Sequence, residues 1–399
     1  MKFIYLLVLL SFPIHAFAQG YASISGKIID KTTQKEIPNA YLSIPSKGFS
    51  SVANTLGEFR FSFPKIDLDS VVVVSMLGYK SFVRKASSFD STSIIELEPA
   101  ETLASVQGGE PKTIIKNALA AIRQTFPTYG NYQTGYYLET IEMNKLGFVK
   151  IKEGIIRIER THKQKNIDIE PEKMKLLKAR KYEWTGQLAK LNGWGFGNGA
   201  AIVTRSLETS VPDYLDRGSI NDYDFKIDSL MTYFGDSLVY SISFKPVNKR
   251  LKAGRIGRIY LTQNSQAIIR IEYEMTPEGT KDVIKGNITD NTKIEGKRVR
   301  GYNQYMPMSG LWQLQDSKLI FEARFEDKLE KKFTADATMT LQFMANESLR
   351  LGNRSAIQLG EELLTTEIFP KGGKYEERFW GTSNYLIPTP AMLKIADRR

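Results

Sequence analysis

The sequence predicts a mainly β protein in which a small N-terminal β-sandwich precedes a larger α+β domain built on a curved antiparallel sheet. Seven short runs of strand-forming residues, separated by turn residues, fill the first hundred positions. After residue 223 most segments alternate apolar and polar residues with a period of two, which is typical of half-buried strands. One run, Ile114 to Ile122, instead has clear helical spacing and predicts a helix against the sheet.

The first eighteen residues have the pattern of a secretory signal peptide. Lys2 precedes an apolar run, and Ala16 and Ala18 flank Phe17 in an A-x-A cleavage site. The apolar run is too short to cross a bilayer of about 30 Å, so we expect cleavage after Ala18 and no transmembrane segment in the mature chain. Because the chain has no cysteine, we expect neither an acylated N-terminal cysteine nor disulfide bonds. The expected location is the periplasm or the periplasmic face of the outer membrane.

The composition is that of an ordinary globular protein with an excess of basic residues. It is 42% hydrophobic and 25% charged, with a formal net charge of +11. Because export makes nucleic acid an improbable partner, we expect the charge either to face solvent or to meet lipid, lipopolysaccharide or an outer-membrane protein. No cofactor is predicted.

Residues 19–100 predict a seven-stranded β-sandwich. Turn residues such as Pro38, Gly57 and Gly78 separate the strands at the spacing of small sandwiches. The predicted strands are Ala22–Ile29, Ala40–Ile44, Ser51–Ala53, Glu58–Phe63, Ser70–Ser75, Lys80–Arg84 and Ser93–Leu97. Residues 101–110, which contain Gly108 and Gly109, are predicted to be a linker.

These residues resemble a known domain family. The runs that carry the resemblance are Ser25-Gly26-Lys27-Ile28-Ile29-Asp30, Pro38-Asn39-Ala40-Tyr41-Leu42, Thr55-Leu56-Gly57-Glu58-Phe59 and Gly78-Tyr79. The family is the carboxypeptidase-regulatory-like domain, a transthyretin-like sandwich common at the N-terminus of exported Bacteroidota proteins. The resemblance implies an accessory domain. A zinc carboxypeptidase needs histidine and glutamate ligands, and the expected mature chain has a single histidine, His162.

Residues 111–399 predict the curved-sheet domain. Pro111 begins an amphipathic helix that Pro127 ends, and more helix is expected in Glu172–Gln187 and Ala200–Glu208. About nine or ten strands follow one another, and a sheet that long must curl, so we expect the helices to cover its concave face. The predicted strands are Tyr132–Glu142, Phe148–Glu159, Tyr223–Leu230, Asp236–Phe244, Gly257–Leu261, Ile269–Glu274, Asp282–Lys293, Lys297–Tyr305, Leu311–Ala323 and Lys332–Phe343.

One hairpin in this sheet has a predicted register. Only one pairing places the apolar residues of both strands on the same face, and it leaves a three-residue loop at 264–266. The predicted pairs are Ile259 with Ile271, Leu261 with Ile269 and Arg258 with Glu272.

The second half resembles the large domain that accompanies the regulatory-like module in exported Bacteroidota proteins. The matching runs are Ile114–Ile122, Phe126-Pro127, Val211–Leu215, Tyr240–Pro246, Gly257–Glu274, Phe379-Trp380 and Tyr385–Pro388. Its expected architecture, a curved sheet with helices in its mouth, is similar to the LolA-type periplasmic lipoprotein carriers.

Two segments are candidate sites. In the glycine-rich run 193–199, Trp194 and Phe196 predict an aromatic-tipped loop over a cavity, and the alternative is a plain connection, since the run lacks the Lys-Ser/Thr of a P-loop. A basic run without acidic residues predicts an anion- or membrane-facing loop, and the alternative is an ordinary solvated loop. The residues of the basic run are Lys245, Lys249, Arg250, Lys252 and Arg255.

No catalytic or metal-ligating set is predicted. His162 stands among cationic neighbours, and the acidic cluster between Asp213 and Asp228 lacks the spacing of a calcium loop. The favoured function is therefore a non-enzymatic binding or scaffold protein that holds an acyl chain in the curved sheet. Two alternatives stay open. A glycan-acting hydrolase would show facing carboxylates in an open cleft, and an assembly subunit of an outer-membrane complex would fill the sheet interior with its own side chains.

Overall fold

The computed structural model describes residues 20–90, 92–104, 109–128, 130–144, 146–160, 173–184, 194–195, 198–216, 218–248, 251, 253–289, 292–327, 334–350 and 369–397. The predicted signal peptide and His162 lie outside these residues.

Strands dominate the described residues, as predicted. The strands in chain order are Tyr21–Asp30 (β1), Tyr41–Ile44 (β2), Phe49–Val52 (β3), Glu58–Pro64 (β4), Val71–Ser75 (β5), Phe82–Lys85 (β6), Thr92–Leu97 (β7), Leu103–Ala104 (β8), Asn131–Met143 (β9), Gly147–Arg160 (β10), Lys173–Glu183 (β11), Tyr223–Phe234 (β12), Ser237–Pro246 (β13), Arg255–Thr262 (β14), Ile268–Met275 (β15), Lys285–Thr289 (β16), Thr292–Met308 (β17), Leu311–Asp327 (β18) and Thr334–Arg350 (β19). The α-helices are Pro111–Thr125 (α1), Gly199–Val203 (α2), Pro277–Val283 (α3) and Pro390–Asp397 (α4).

The N-terminal strands form the predicted seven-stranded sandwich. A three-stranded sheet in the order β4-β1-β7 packs on a four-stranded layer in the order β6-β5-β2-β3. Alternate residues of β4 point inward, so Phe59, Phe61 and Phe63 are completely buried in one apolar core with Val72 and Val74. The strand predicted for Glu58–Phe63 therefore supplies a large part of the sandwich core.

The four-stranded layer of the sandwich continues into the large sheet. Phe49 of β3 pairs with Glu347 of β19, and the order then runs β19-β18-β17-β15-β14-β13-β12-β8, all antiparallel. A branch of β9, β10 and β11 also starts on β19, and β16 pairs with β17. The predicted linker contributes β8, because Leu103 lies opposite Met231 of β12.

The register predicted for the β14–β15 hairpin is confirmed over most of its length. The observed pairs include Arg258 with Glu272 and Ile259 with Ile271. Toward the turn, however, Leu261 lies opposite Ile268 instead of Ile269, because the register shifts after Tyr260. The extra residue keeps the apolar side chains of both strands inside while the loop widens.

Three further predictions about the second domain are wrong. Glu172–Gln187, expected to be helical, contains β11, which pairs along the length of β10. This tertiary pairing overrides the local helical propensity of a Lys- and Leu-rich segment. Asp282–Lys293, expected to be one strand, contains the end of α3 and then β16. The helix expected over Ala200–Glu208 is the short α2, which ends at Val203.

Helix α1 covers one face of the sheet, as the amphipathic pattern predicts. Glu110 caps its first turn by accepting a hydrogen bond from the Thr113 N–H at 2.7 Å. The apolar side of the helix, including Ile115 and Ile122, is buried against the isoleucine-rich face of β12 to β15. No helix among the described residues is long and apolar enough to cross a membrane.

The C-terminal segment ties the sandwich to the sheet. Trp380 packs edge-on against Tyr136 of β9 with ring centroids 5.5 Å apart. The side chain of Asn384, only 3% exposed, accepts the Ser62 N–H at 2.6 Å and donates to the carbonyls of Ser50 and Ser62 at 3.0 and 3.1 Å. Asn384 thus bridges β3 and β4, one strand from each layer of the sandwich, and its own carbonyl accepts a hydrogen bond from Asn346 of β19 at 2.7 Å.

Candidate binding site between the sandwich and the sheet

The face of the large sheet opposite α1 is polar. Strand pairing places a row of six residues side by side across six strands, because each member lies directly opposite the next. The row consists of Ser243, Arg258, Glu272, Tyr302, Lys318 and Gln342. We call this set the polar row.

The sandwich contacts the polar face through Tyr41. Its hydroxyl lies 3.4 Å from Asp316, a completely buried carboxylate on β18. Asp316 also accepts hydrogen bonds from the Tyr302 hydroxyl at 2.6 Å and the Gln342 amide at 2.9 Å. Burial nevertheless outweighs these bonds and raises the pKa of Asp316 above its usual range. The sandwich therefore closes over a hydrogen-bonded carboxylate.

A cavity of about 650 Å³ opens beside this contact. Its floor is the polar face of β14, β15, β17 and β18, and Asn39 of the sandwich forms part of its wall. Four of its charged side chains are neutralised by arginine or carboxylate partners at 2.5–3.2 Å. The pairs are Arg258–Asp228, Glu272–Arg270, Glu274–Arg298 and Arg300–Glu322.

Arg258 shows that cross-strand register and ion pairing are separate matters. Although it lies opposite Glu272, its guanidinium binds Asp228 of β12 at 3.0 Å. Glu272 instead accepts a hydrogen bond from Arg270 at 2.6 Å, and the guanidinium of Arg270 lies 4.1 Å from the centre of the Tyr302 ring.

A second cavity, of about 340 Å³, lies on the same face toward the C-terminal segment. Its apolar lining comes from Leu138, Phe148, Leu386, Ile387 and Met392. Threonine hydroxyls of β9 and β19 complete its wall. Asn39 and Lys318 line both cavities, so the two spaces meet at these residues.

Lys318 is the unusual charge of this face. Among the described residues it has no hydrogen-bond or ion-pair partner, and its attraction to Asp316 acts only over a longer range. Loss of hydration lowers its pKa, and the nearby cations Arg270 and Arg300 lower it further. An ammonium group that is partly buried without a partner is costly, so its position calls for an explanation.

The predicted loop lid is a different part of the molecule. Trp194 lies on the α1 side of the sheet, where it is 9% exposed and packs edge-on against Phe325 with ring centroids 4.9 Å apart. Phe196 lies outside the described residues. Gly199 is required nearby, because a Cβ there would lie 2.3 Å from the Tyr137 hydroxyl. The ligand role of the loop stays a prediction.

The basic run is only partly described. Lys249, Arg250 and Lys252 lie outside the described residues. Lys245 is exposed on β13, opposite Asp224. Arg255 binds Asp213 at 2.9 Å and lies 5.0 Å from the centre of the Tyr214 ring. Arg255 is therefore already engaged within the protein, and anion binding by the run stays a prediction.

The acidic cluster between Asp213 and Asp228 is used locally. Asp216 accepts the N–H groups of Gly218 and Ser219, and Asp228 binds Ser241 as well as Arg258. Within the part of the chain that the structure describes, no group of three or more His, Cys, Asp or Glu side chains is placed to hold a metal ion.

Sequence reasoning missed Lys318, Asp316 and their contact with Tyr41. A signal was present, since two opposite charges, Asp316 and Lys318, occur two residues apart inside the strand predicted for Leu311–Ala323. Two such residues lie on the same face of a strand, and burying their charges is costly unless hydrogen bonds or ion pairs compensate. Its partners, however, come from positions as far as 275 residues away.

Comparison with known proteins identifies the class of the N-terminal unit. Residues 24–107 match the family described as CarboxypepD_reg-like domain, which confirms the resemblance seen in the sequence. The match is to a regulatory-like domain and not to a peptidase domain. No curated protein matches the chain.

Several solved structures are similar to larger parts of the chain. A DUF1329 family protein from Desulfovibrio piger shares 8% identity, with 62% of this chain and 96% of that chain covered and a TM-score of 0.27. A putative outer membrane lipoprotein-sorting protein domain from Vibrio parahaemolyticus shares 8%, with 62% and 94% covered and a TM-score of 0.26. A putative membrane-associated protein of unknown function from Bacteroides fragilis shares 10%, with 81% and 97% covered and a TM-score of 0.15.

Proposed function

We propose that this chain is a non-enzymatic binding or scaffold protein of the cell envelope, located in the periplasm or on the periplasmic face of the outer membrane. The signal-peptide pattern of residues 1–18 supports the location. The observation that carries the function is the pair of adjoining cavities between the regulatory-like sandwich and the polar face of the sheet. Concave sites at domain interfaces are where small ligands usually bind.

An acyl chain is the ligand that best suits such a protein, but the apolar face under α1 is already occupied. Ile259, Leu261 and Ile269 have no accessible surface there, so no water-sized space adjoins them. A chain bound on that side would have to displace α1 and Trp194. The polar-face cavities need no such displacement.

A glycan-acting hydrolase has weaker support. Its general acid must be a carboxyl group that can hold a proton and release it to the substrate. The glutamates that line the larger cavity, Glu272 and Glu274, each accept a charge-assisted hydrogen bond from an arginine, at 2.6 and 2.5 Å. The two glutamates also lie two residues apart on one face of β15, so they do not oppose each other across a cleft.

Native mass spectrometry of protein purified from its own envelope in mild detergent tests the proposal. A co-purifying lipid-sized mass supports ligand binding, and a stoichiometric envelope protein supports the scaffold or assembly role. Turnover of a glycan, measured as new reducing ends on purified peptidoglycan or lipopolysaccharide, would overturn the non-enzymatic proposal.

A further inference from the structure

We propose that Lys318 anchors the carboxylate of a single-chain fatty acid whose apolar tail lies in the smaller cavity. The inference rests on the proposed binding function and names its ligand class and its site. It places the ligand on the polar face of the sheet, on the opposite side from α1.

The first argument is charge. The other charged residues that line the larger cavity each have an ion-pair partner within 3.2 Å. Lys318 is the exception among the described lining residues. Its neighbour Asp316 already accepts hydrogen bonds from Tyr302 and Gln342. A single unpaired cation at the junction of two cavities complements a ligand with a single negative charge.

The second argument is the number of negative charges that the site can accept from a ligand. Phosphate groups are usually held by several cations or by an arginine fork. Here Arg270 and Arg300, the two arginines whose charges act on Lys318, already bind Glu272 and Glu322 at 2.6 and 3.2 Å. A monoanionic carboxylate therefore fits better than a phosphate.

The third argument is the position of the apolar lining. Lys318, Gln342 and Leu138 lie opposite one another on three successive strands. Because neighbouring strands are about 4.8 Å apart, Leu138 lies roughly 10 Å from Lys318. Leu386, Ile387 and Met392 of the C-terminal segment cover the same space. A headgroup on Lys318 thus continues directly into an apolar trough.

The far end of the trough is open and acidic. Glu142, the other charged residue of the smaller cavity, lies opposite Thr338 and is exposed. Glu142 is four residues from Leu138 along β9, a distance of roughly 13 Å at about 3.3 Å per residue. A carboxylate is therefore drawn to the Lys318 end and repelled from the Glu142 end, which fixes the orientation of the ligand. A volume of about 340 Å³ is near the lower limit for ligand cavities and suits one chain.

Titration calorimetry with dodecanoate and with dodecanol tests the inference on the delipidated full-length mature protein. Wild type should bind dodecanoate more tightly than dodecanol. Lys318→Met should weaken dodecanoate binding roughly ten- to hundredfold, the usual effect of losing a charged hydrogen bond, and should leave dodecanol binding nearly unchanged. Lys85→Met, which removes an exposed lysine of β6 outside both cavities, is the matched control and should bind like wild type.

Two further measurements separate a binding role from a structural one. Lys318→Met should keep or raise the free energy of unfolding without ligand, because it removes a poorly hydrated, unpaired charge. Thr340→Phe, which fills the smaller cavity from β19, should weaken dodecanoate and dodecanol equally.

Three results would overturn the inference: no binding of dodecanoate by wild type, an unchanged preference for dodecanoate in Lys318→Met, or a marked loss of stability in Lys318→Met. None of these would refute the proposed function, which native mass spectrometry of the envelope-purified protein tests separately.

Discussion

Replacing Asn384 by alanine should destabilise the whole protein, because this side chain joins β3 and β4, which belong to the two different layers of the sandwich. The carbonyl of the same residue accepts a hydrogen bond from Asn346 of β19. The three hydrogen bonds of the Asn384 side chain, at 2.6, 3.0 and 3.1 Å, satisfy one N–H and two carbonyl groups of Ser50 and Ser62. At roughly 0.5–1.5 kcal/mol of net stability for each bond, the loss sums to about 1.5–4.5 kcal/mol. The site is buried, so water cannot readily replace the amide, and we expect a loss of about 3 kcal/mol.

Urea unfolding monitored by tryptophan fluorescence and by far-ultraviolet circular dichroism measures this loss. The midpoint should fall while the slope m stays constant, because the surface exposed on unfolding is unchanged. Asn303→Ala is the control, since the Asn303 amide donates one exposed bond, 3.3 Å long, to the Arg205 carbonyl, and it should change stability by less than about 0.5 kcal/mol. Equal effects of the two substitutions would refute the reasoning.

Three further predictions use the same unfolding assay. Gly257→Ala should lower the free energy of unfolding by roughly 3 kcal/mol or more, because the new Cβ would lie 1.9 Å from the Glu272 carbonyl oxygen. Gly373→Ala is the control and should be almost neutral, because no atom lies within 4 Å of its Cβ position. Similar losses of stability in the two variants would contradict this. Trp194→Ala should cost about 3 kcal/mol, because the ring is buried against Phe325, and a stable variant would indicate a lid outside the core. Hydrogen bonds from Arg324 and Lys297 lower the pKa of Asp336 to about 2, from about 3.9 when unfolded. The ionised Asp336 side chain therefore stabilises the folded protein above about pH 4, and this stabilisation is lost as the pH falls toward 2. The loss should be small because the cluster is exposed. Asp336→Asn should remove that part of the pH dependence, and a wild-type profile in the variant would contradict the assignment.

The contrast between β11 and the β14–β15 hairpin shows how far sequence reasoning reaches. In the hairpin, the strand pattern and a short turn determine the pairing of Ile259 with Ile271, and both lie within one local segment. In β11, the same kind of reasoning predicted a helix, because its Lys and Leu residues have good helical propensity. The partner that makes it a strand is β10, reached only after the intervening segment 161–172.

The sequence by itself determined the properties that depend on neighbouring residues. These are the signal-peptide pattern, the seven strands of the sandwich, the amphipathic α1, the Arg258–Glu272 register and the kinship of residues 24–107 with the regulatory-like domain. Only the tertiary structure decided that β3 joins β19, that Asn384 bridges Ser50 and Ser62, and that Lys318 lacks a partner among the described residues where two cavities meet. The physical reason is that hydrogen bonding and ion pairing depend on distances of a few ångströms between atoms that are up to hundreds of residues apart along the chain.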